Sequence, residues 1–421
     1  MTATATATVH VPAIGGSHQF LHFLPVAFEL EQSRQCKVRI FAPTSDDADG
    51  IAALADKLAM PLPEIVIMKM PGTLQAMLPP AAQKTAKLLL AANRIRDCDA
   101  ILCAERTSTI LKRLPGHCPP LFHIPHGAGD RAVGFEDRFR HFDKVFVAGA
   151  KDRERLIAGG RCTPERCVIG GPVKLAASMR AGLRPQPLFP DDRPVILYNP
   201  HFHRRMGSGP IMARRLVNAV CASDRYNLVI APHIRMARHW SDARKQAWQA
   251  LAVKDRVLVD LGSERSVDMS YTMAADLYVG DVSSQIYEYL LRPRPCLFMN
   301  SHDAAWQGNP DYAMWDFGPV IEPDDDLERA IRHAFESWPA YRAVQVERTE
   351  AAFDGIVRDE AGNAGFAGAE PCQRIAHMIT HYLSNAEPVR ASREGRTARS
   401  HWVTPGHDRD YTAKAAPGAS L

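Results

Sequence analysis

The amino-acid sequence predicts an α/β protein of two domains, each a mostly parallel sheet covered by helices on both faces. Three observations carry this reading. The chain has 421 residues, enough for two domains at roughly 100–200 residues each. Short apolar runs alternate with segments of helical period along most of it, the pattern of repeated β-α units. That alternation pauses at Arg184-Pro185-Gln186-Pro187-Leu188-Phe189-Pro190, a proline-rich stretch that reads as a linker, and then resumes.

In the first half, strands are expected at 8–14, 38–42, 64–68, 100–103, 121–124, 144–148 and 167–169. Runs such as Val145-Phe146-Val147 are apolar at every position, as strands buried on both faces require. Helices are expected between them at 18–31, 47–58, 81–94, 107–113 and 151–158. After the linker, strands are expected at 195–199, 228–231, 257–259, 277–279 and 296–299, with helices at 210–222, 241–252, 284–291 and 326–336. The domains then span 1–180 and 190–345, followed by a helical segment at 346–386. Its helix at 370–383 sets Ile375, Met378, Ile379, Tyr382 and Leu383 on one face and is expected to pack across both domains. From 387 to 421, Arg, Ser, Gly, Pro and Ala dominate, and a disordered tail is expected.

Composition narrows the function. Hydrophobic residues make up 46% and charged residues 23%, ordinary for a globular protein. Lys plus Arg total 51 against 47 acidic residues, a balance without the basic footprint of a nucleic-acid binder. Nine cysteines, an odd number with no C-x-x-C pair, argue against a disulfide framework or a zinc site and for a reducing, cytoplasmic setting. Residues 1–11 lack the basic and apolar blocks of a secretory signal, and no run reaches ~18 apolar residues. Membrane contact would therefore be peripheral, at the inner face. Lys84, Lys87, Arg94 and Arg96 around Leu88-Leu89-Leu90 suit an anionic surface, and they suit an ordinary surface helix equally.

In doubly wound sheets, ligands bind beyond the carboxyl ends of the strands, so strand-to-helix turns hold the site candidates. Gly15-Gly16-Ser17-His18 is a glycine turn whose free N–H groups suit an anion and whose Ser17 suits a helix cap; it is not the G-x-G-x-x-G fingerprint. Pro125-His126-Gly127-Ala128-Gly129-Asp130-Arg131 places a histidine beside a flexible Gly-x-Gly, where its ring can take a proton from a hydroxyl. Tyr198-Asn199-Pro200-His201-Phe202-His203-Arg204-Arg205 offers guanidinium groups for phosphate. His201, His203 and His233 lack a carboxylate or cysteine at ligand spacing, so no metal is expected. Pro232-His233-Ile234-Arg235 pairs a histidine and a cation at a strand end. Finally, Gly280-Asp281-Val282-Ser283-Ser284 opens a helix with Glu288 one turn in. Hydroxyls and unpaired helix N–H groups there suit a diphosphate.

The last motif, continued by Tyr287-Glu288-Tyr289-Leu290 and Arg294-Pro295, resembles a signature of the teichoic-acid CDP-glycerol glycerophosphotransferases. Pro125-His126-Gly127, Tyr198-Asn199-Pro200 and Pro232-His233 resemble that family's other turns, in the same order, over about 121–299. Here Ala128-Gly129-Asp130-Arg131 stands where the family continues with Thr-Pro and a lysine. The resemblance implies a GT-B fold: two Rossmann-like domains facing a cleft, with a C-terminal helix crossing back. It implies a transferase of cell-envelope polysaccharide synthesis that takes a nucleotide-activated small-molecule donor and a hydroxyl acceptor such as a lipid-linked glycan, without a cofactor. His126 and His233 would be catalytic, and Ser283, Ser284, Arg235 and Asp281 would bind the donor diphosphate. Gly15, Gly16, Ser17, His18, Gly127, Arg131, Asn199, His201, Arg204 and Glu288 are further substrate-binding candidates. A nucleotide-sugar glycosyltransferase shares every one of these features. A UDP-N-acetylglucosamine 2-epimerase or a non-catalytic binding module of the same fold are the other readings.

Overall fold

Two parallel sheets organise the chain. The computed structural model describes residues 6–127, 129–130, 135–182, 186–203, 206–237, 240–359 and 364–385. Seven strands form the first sheet: β1 (Ala7–Pro12), β2 (Cys36–Ala42), β3 (Glu64–Ile67), β4 (Ala100–Cys103), β5 (Leu121–His123), β6 (Lys144–Val147) and β7 (Cys167–Ile169). Their order is β3-β2-β1-β4-β5-β6-β7. The second sheet contains β8 (Val195–Asn199), β9 (Asn227–Ile230), β10 (Val257–Val259), β11 (Leu277–Gly280), β12 (Cys296–Met299) and β13 (Val320–Ile321), in the order β10-β9-β8-β11-β12-β13. All pairings within both sheets are parallel. Central strands are buried at every position, as in β4, β9, β11 and β12, and apolar throughout but for Asn227 at the start of β9 and the Tyr278 hydroxyl in β11; helices on both faces remove them from water.

Each sheet reverses its winding once, between β1 and β4 and between β8 and β11. Those two reversals open crevices at the carboxyl ends of the strands. The Gly15 turn follows β1, Asn199 ends β8 with Pro200 and His201 after it, and Asp281 to Ser284 follow β11.

Several helices differ from expectation. Residues 106–113 wind as a 3-10 helix, and the helix after Ser284 is only Gln285–Tyr289. The helix expected at 326–336 runs as Leu327–Ala352, through Pro339. A proline reads as a helix stop because it lacks an N–H and crowds the preceding turn, but tertiary contacts carry this helix past it. Beyond the proline, buried Gln345 donates from Nε2 to Arg294 O at 3.0 Å and Phe317 O at 2.8 Å. An antiparallel hairpin of Ile356–Arg358 and Ala364–Phe366 then leads to the Pro371–Asn385 helix.

That last helix crosses back into the first domain. Cys372, Ile375, Ala376 and Ile379 join the core built on β1, β2 and β4. Rather than lying across both domains, its buried face belongs to the first. Gly170 makes the fit possible, since a Cβ there would sit 2.6 Å from Ile375. Residues up to Ser384 form one compact unit, and the tail expected at 387–421 lies outside the described residues.

The long helix ends against the first domain at Gly149. A Cβ on Gly149 would lie 2.4 Å from Ala351 O and 2.5 Å from the Ala352 carbonyl carbon. Backbone cannot give way as a side chain can. Gly149→Ala is therefore expected to cost about 1–3 kcal/mol by overpacking, read as a lower urea midpoint. Gly72→Ala, where nothing lies within 4 Å, should stay within about 0.5 kcal/mol of the parent.

Candidate active site in the interdomain cleft

On the first domain, the glycine turn is filled by a side chain of its own chain. Gln19 is 2% exposed, and its carboxamide lies over Gly15, so that a Cβ on Gly15 would fall 1.7 Å from Gln19 Oε1. Gly16 has φ 94°, the left-handed region that glycine enters freely. The two glycines thus serve close approach and turning. Ser17 is no helix cap: Gln19 occupies the N-cap position of the Phe20–Gln32 helix, without a side-chain cap bond. Ser17 and His18 line a shallow pocket with Lys245 and Gly262 of the second domain.

Gln19 Nε2 donates to Glu105 Oε1 at 2.8 Å and stands 3.3 Å from His126 Nε2. Glu105 follows β4, and His126 follows β5 and is exposed to the cleft. Lys84 Nζ lies 3.3 Å from the same Glu105 oxygen. Burial pushes the Glu105 carboxyl up, but Lys84 and Gln19 overcome it and hold the group below its ordinary range. The rings of His18 and His22 lie 6.4 and 6.5 Å from that of His126. Burial, reinforced by Lys174, lowers the His22 pKa well below normal. Neither Gln19 nor Glu105 stood out in the sequence. Their only signal was position, at the ends of the two strands that flank the winding reversal.

The loop after His126 meets the second domain directly. Gly127 has φ 88°, and a Cβ on it would lie 2.9 Å from Ser284 Oγ; one on Gly129 would lie 3.3 Å from Ser284 Cβ. Asp130, 2% exposed, accepts from Tyr287 Oη at 2.8 and 2.9 Å and from Lys151 Nζ at 3.0 Å. Arg155 donates to Asp130 O and, at 2.6 Å, to Asp311 Oδ1 across the seam. Glu288, a predicted substrate ligand, is instead buried and paired with Lys174 at 2.7 and 2.8 Å. Tyr289 and Arg294 are also inward: Tyr289 Oη donates to Pro295 O, and Arg294 donates to the carbonyls of Thr272, Met273, Ala275 and Tyr289. Much of the 287–295 motif therefore holds the fold and the seam.

Ser283 and Ser284 of the second domain line the same cavity as His126, with Ser283 only 4% exposed. This cavity of about 490 Å³ in the cleft is lined by His126, His201, His203, His233, Ser283 and Ser284, among others. Ser283 Oγ accepts from Gln285 N at 3.4 Å. With a helix of only five residues behind them, the serines offer local N–H and hydroxyl donors more than a full helix dipole. His201 and His233 rings are 5.9 Å apart, with Phe202 4.9 Å from His233. No group of three or more His, Cys, Asp or Glu among the described residues is arranged to hold a metal. Arg131, Arg204 and the side chain of Arg235 lie outside the described residues.

Two predicted ligands turn out to be supports. Asn199 is 1% exposed; its Nδ2 donates to Ala231 O at 2.7 Å and its Oδ1 accepts from Tyr278 Oη at 3.3 Å. Asp281 is wholly buried, and its Oδ2 accepts from His201 N and Ser208 N, both at 2.9 Å. It fixes the loop that carries His201 and His203 and does not reach the cleft. Of the four cations flanking 88–90, Lys87 and Arg96 are buried, bonded to the carbonyls of Pro43 and of Pro115 and His117. Leu88 is fully buried, leaving Leu89 and Leu90 outside. No described helix is long and apolar enough to cross a membrane.

Burial pushes the Asp281 carboxyl up to about 6, against the pull of its two backbone donors. An unfolded aspartate titrates near ~3.9. Between those values the folded chain keeps a proton that the unfolded chain releases, so this group's contribution to stability falls as pH rises through the window and stays lost above it. In urea titrations at pH 4.5 and pH 7, the parent should lose stability relative to Asp281→Asn as pH rises. A pH-independent difference would contradict this account.

No family model and no curated protein matches the chain. Solved structures share its fold. A Listeria monocytogenes structure assigned as a UDP-N-acetylglucosamine 2-epimerase aligns at TM-score 0.60 and 14% identity, over 95% of this chain and 100% of that one. S. aureus MnaA with UDP aligns at 0.59 and 13% identity, over 90% and 97%. The wall teichoic acid polymerase TagF, soaked with CDPG, aligns at 0.57 and 13% identity, over 91% of this chain and 90% of that one. At such identities the likeness concerns architecture, and the architecture is two Rossmann-like parallel-sheet domains in the GT-B manner, with neighbours among both nucleotide-sugar epimerases and teichoic acid polymerases.

Proposed function

We propose that this chain is a transferase that takes a nucleotide-diphosphate-activated donor on its second domain and a hydroxyl acceptor on its first. The observation that carries the reading is the opposition of His126 to Ser283 and Ser284 across one cleft at the strand ends. Similar structures that hold UDP or were soaked with CDPG support a nucleotide-activated donor. In this reading the diphosphate sits at the Ser283–Ser284 turn, where serine hydroxyls and backbone N–H groups meet its charge. His126 accepts the proton of the acceptor hydroxyl; that oxygen attacks the donor, and the bond to the nucleotide breaks with its electron pair leaving on the phosphate. His233 lies on the donor side with His201 and supports donor binding.

Glycerophosphate and sugar donors differ in the atom attacked, phosphorus or the anomeric carbon, and so in what leaves, a nucleoside monophosphate or diphosphate; in both the electron pair departs on a phosphate oxygen. The resemblance in the motifs favours CDP-glycerol as the first donor to test. The epimerase-like reading rests on the same architecture; it predicts turnover of a UDP-sugar with no acceptor present.

Donor class is tested by thermal shift with CDP-glycerol, CDP-ribitol, UDP-sugars, GDP-sugars and CMP-sugars, since a ligand of the native state raises its apparent stability. With the donor in hand, replacing both Ser283 and Ser284 by alanine should weaken its binding by about 1–3 kcal/mol, the range for hydrogen bonds to a charged group; unchanged affinity would remove the diphosphate from this turn. His126→Ala should lower turnover by roughly 10²–10⁴-fold while donor binding persists. Near-normal turnover of the folded variant would refute the base assignment.

A further inference from the structure

We infer that Gln19 is a positioning residue that fixes His126 as the neutral imidazole with its proton on Nδ1 and its Nε2 lone pair directed at the Gln19 amide. The inference rests on the reading of His126 as proton acceptor for its functional meaning, and on geometry alone for its content.

The orientation of the carboxamide follows from its other partner. The Gln19 atom 2.8 Å from Glu105 Oε1 must be the amide nitrogen, because an oxygen there would face a carboxylate oxygen with no proton between them. Glu105 is ionised in this setting, with Lys84 3.3 Å from the same oxygen. One amide hydrogen is thus given to Glu105 and the other points to His126 Nε2 at 3.3 Å. A donor at Nε2 requires a lone pair there, which places the imidazole proton on Nδ1; the bond at one ring nitrogen sets the state of the other. A doubly protonated ring would set N–H against N–H, so the contact favours the neutral form, as a base requires. For the ring to take a proton at Nε2, the acceptor hydroxyl must displace the Gln19 amide from this lone pair; until then the amide keeps it oriented and unprotonated.

Gly15 is part of the same device. The carboxamide rests where a Cβ of residue 15 would be, 1.7 Å from Gln19 Oε1 and 2.7 Å from Nε2. Glycine at this position gives Gln19 its space. The charged and titratable groups around His126 include His18, His22 and His123 on its own domain, with Glu105 and Lys84 behind Gln19 and Arg106 and Asp152 at the cleft wall. Across the cleft stand His201, His203 and His233.

The test reads the imidazole itself. In ¹⁵N-histidine-labelled full-length protein, with the His126 signals assigned by their loss in His126→Ala, the parent should show the Nδ1–H tautomer. The exchange Gln19→Glu with Glu105→Gln keeps the charge but puts a carboxylate against Nε2. It should convert the ring to Nε2–H and raise its titration midpoint by about one pH unit or more, as an adjacent carboxylate does. Gly15→Ala, which leaves both partners in the sequence but displaces the amide, should also abolish the Nδ1–H preference, and it serves if the exchanged pair does not fold. The alkaline-rising limb of the turnover profile should move with the midpoint. An Nε2–H ring in the parent, or a tautomer and midpoint unmoved in the folded variants, would overturn the inference. Full turnover by His126→Ala, together with an Nδ1–H ring in the parent, would instead remove the base reading and leave the Gln19 contact standing.

Discussion

The cleft is held in shape by one buried carboxylate. Asp130 follows His126 by four residues and is met by Lys151 from its own domain and Tyr287 from the other. A buried charge is tolerated only when its partners are complete. Here that requirement ties the two domains together at the point where the loop must be placed. The close approach of Gly127 and Gly129 to Ser284 follows from it, since only residues without side chains let the loop be drawn so near the opposite turn. Lys174 with Glu288 repeats the arrangement a short way along the seam. Neither pair is expected to add much net stability, because desolvation offsets most of the attraction. What they supply is registration of one domain on the other.

The strands were legible in the sequence because parallel strands buried on both faces leave unbroken apolar runs. Ala100–Cys103, Cys167–Ile169, Val195–Asn199, Val257–Val259 and Cys296–Met299 stand where those runs place them. Val320–Ile321 was too short to leave a pattern, and Pro339 concealed the second half of a long helix. The site was legible only in outline. Glycine turns and histidines at strand ends marked the right edges of both sheets, but the sequence could not separate side chains that face the cleft from those that support it. Asp281 and Asn199 look like ligands and are buried braces. Gln19 and Glu105 look like ordinary polar residues. Their importance comes from contacts 86 and 107 residues apart in the chain, which no local pattern encodes.

A shared architecture leaves the chemistry open. Structures alike in fold include epimerases and a polymerase, and a fold of this kind supplies two opposed rows of strand ends without deciding what reacts between them. The decision lies with a few side chains on those rows. In this chain the first row carries an imidazole backed by an amide and a carboxylate, and the second carries hydroxyls and further imidazoles. Such a distribution is what motivates the proposal of proton handling on one side and leaving-group binding on the other.

The Leu327–Ala352 helix begins in the core of the second domain, with Leu327, Ala330 and Ile331 buried there, and ends wedged at Gly149 of the first. It therefore acts as a ruler of fixed length between them. Adding or deleting one residue along it would swing its far end by about 100° and shift it by about 1.5 Å, which would aim a different face at Gly149. Length variation among natural relatives should accordingly be excluded from this helix and tolerated in the loops around it, and recombining the two domains from different homologues would succeed only where the ruler is inherited whole.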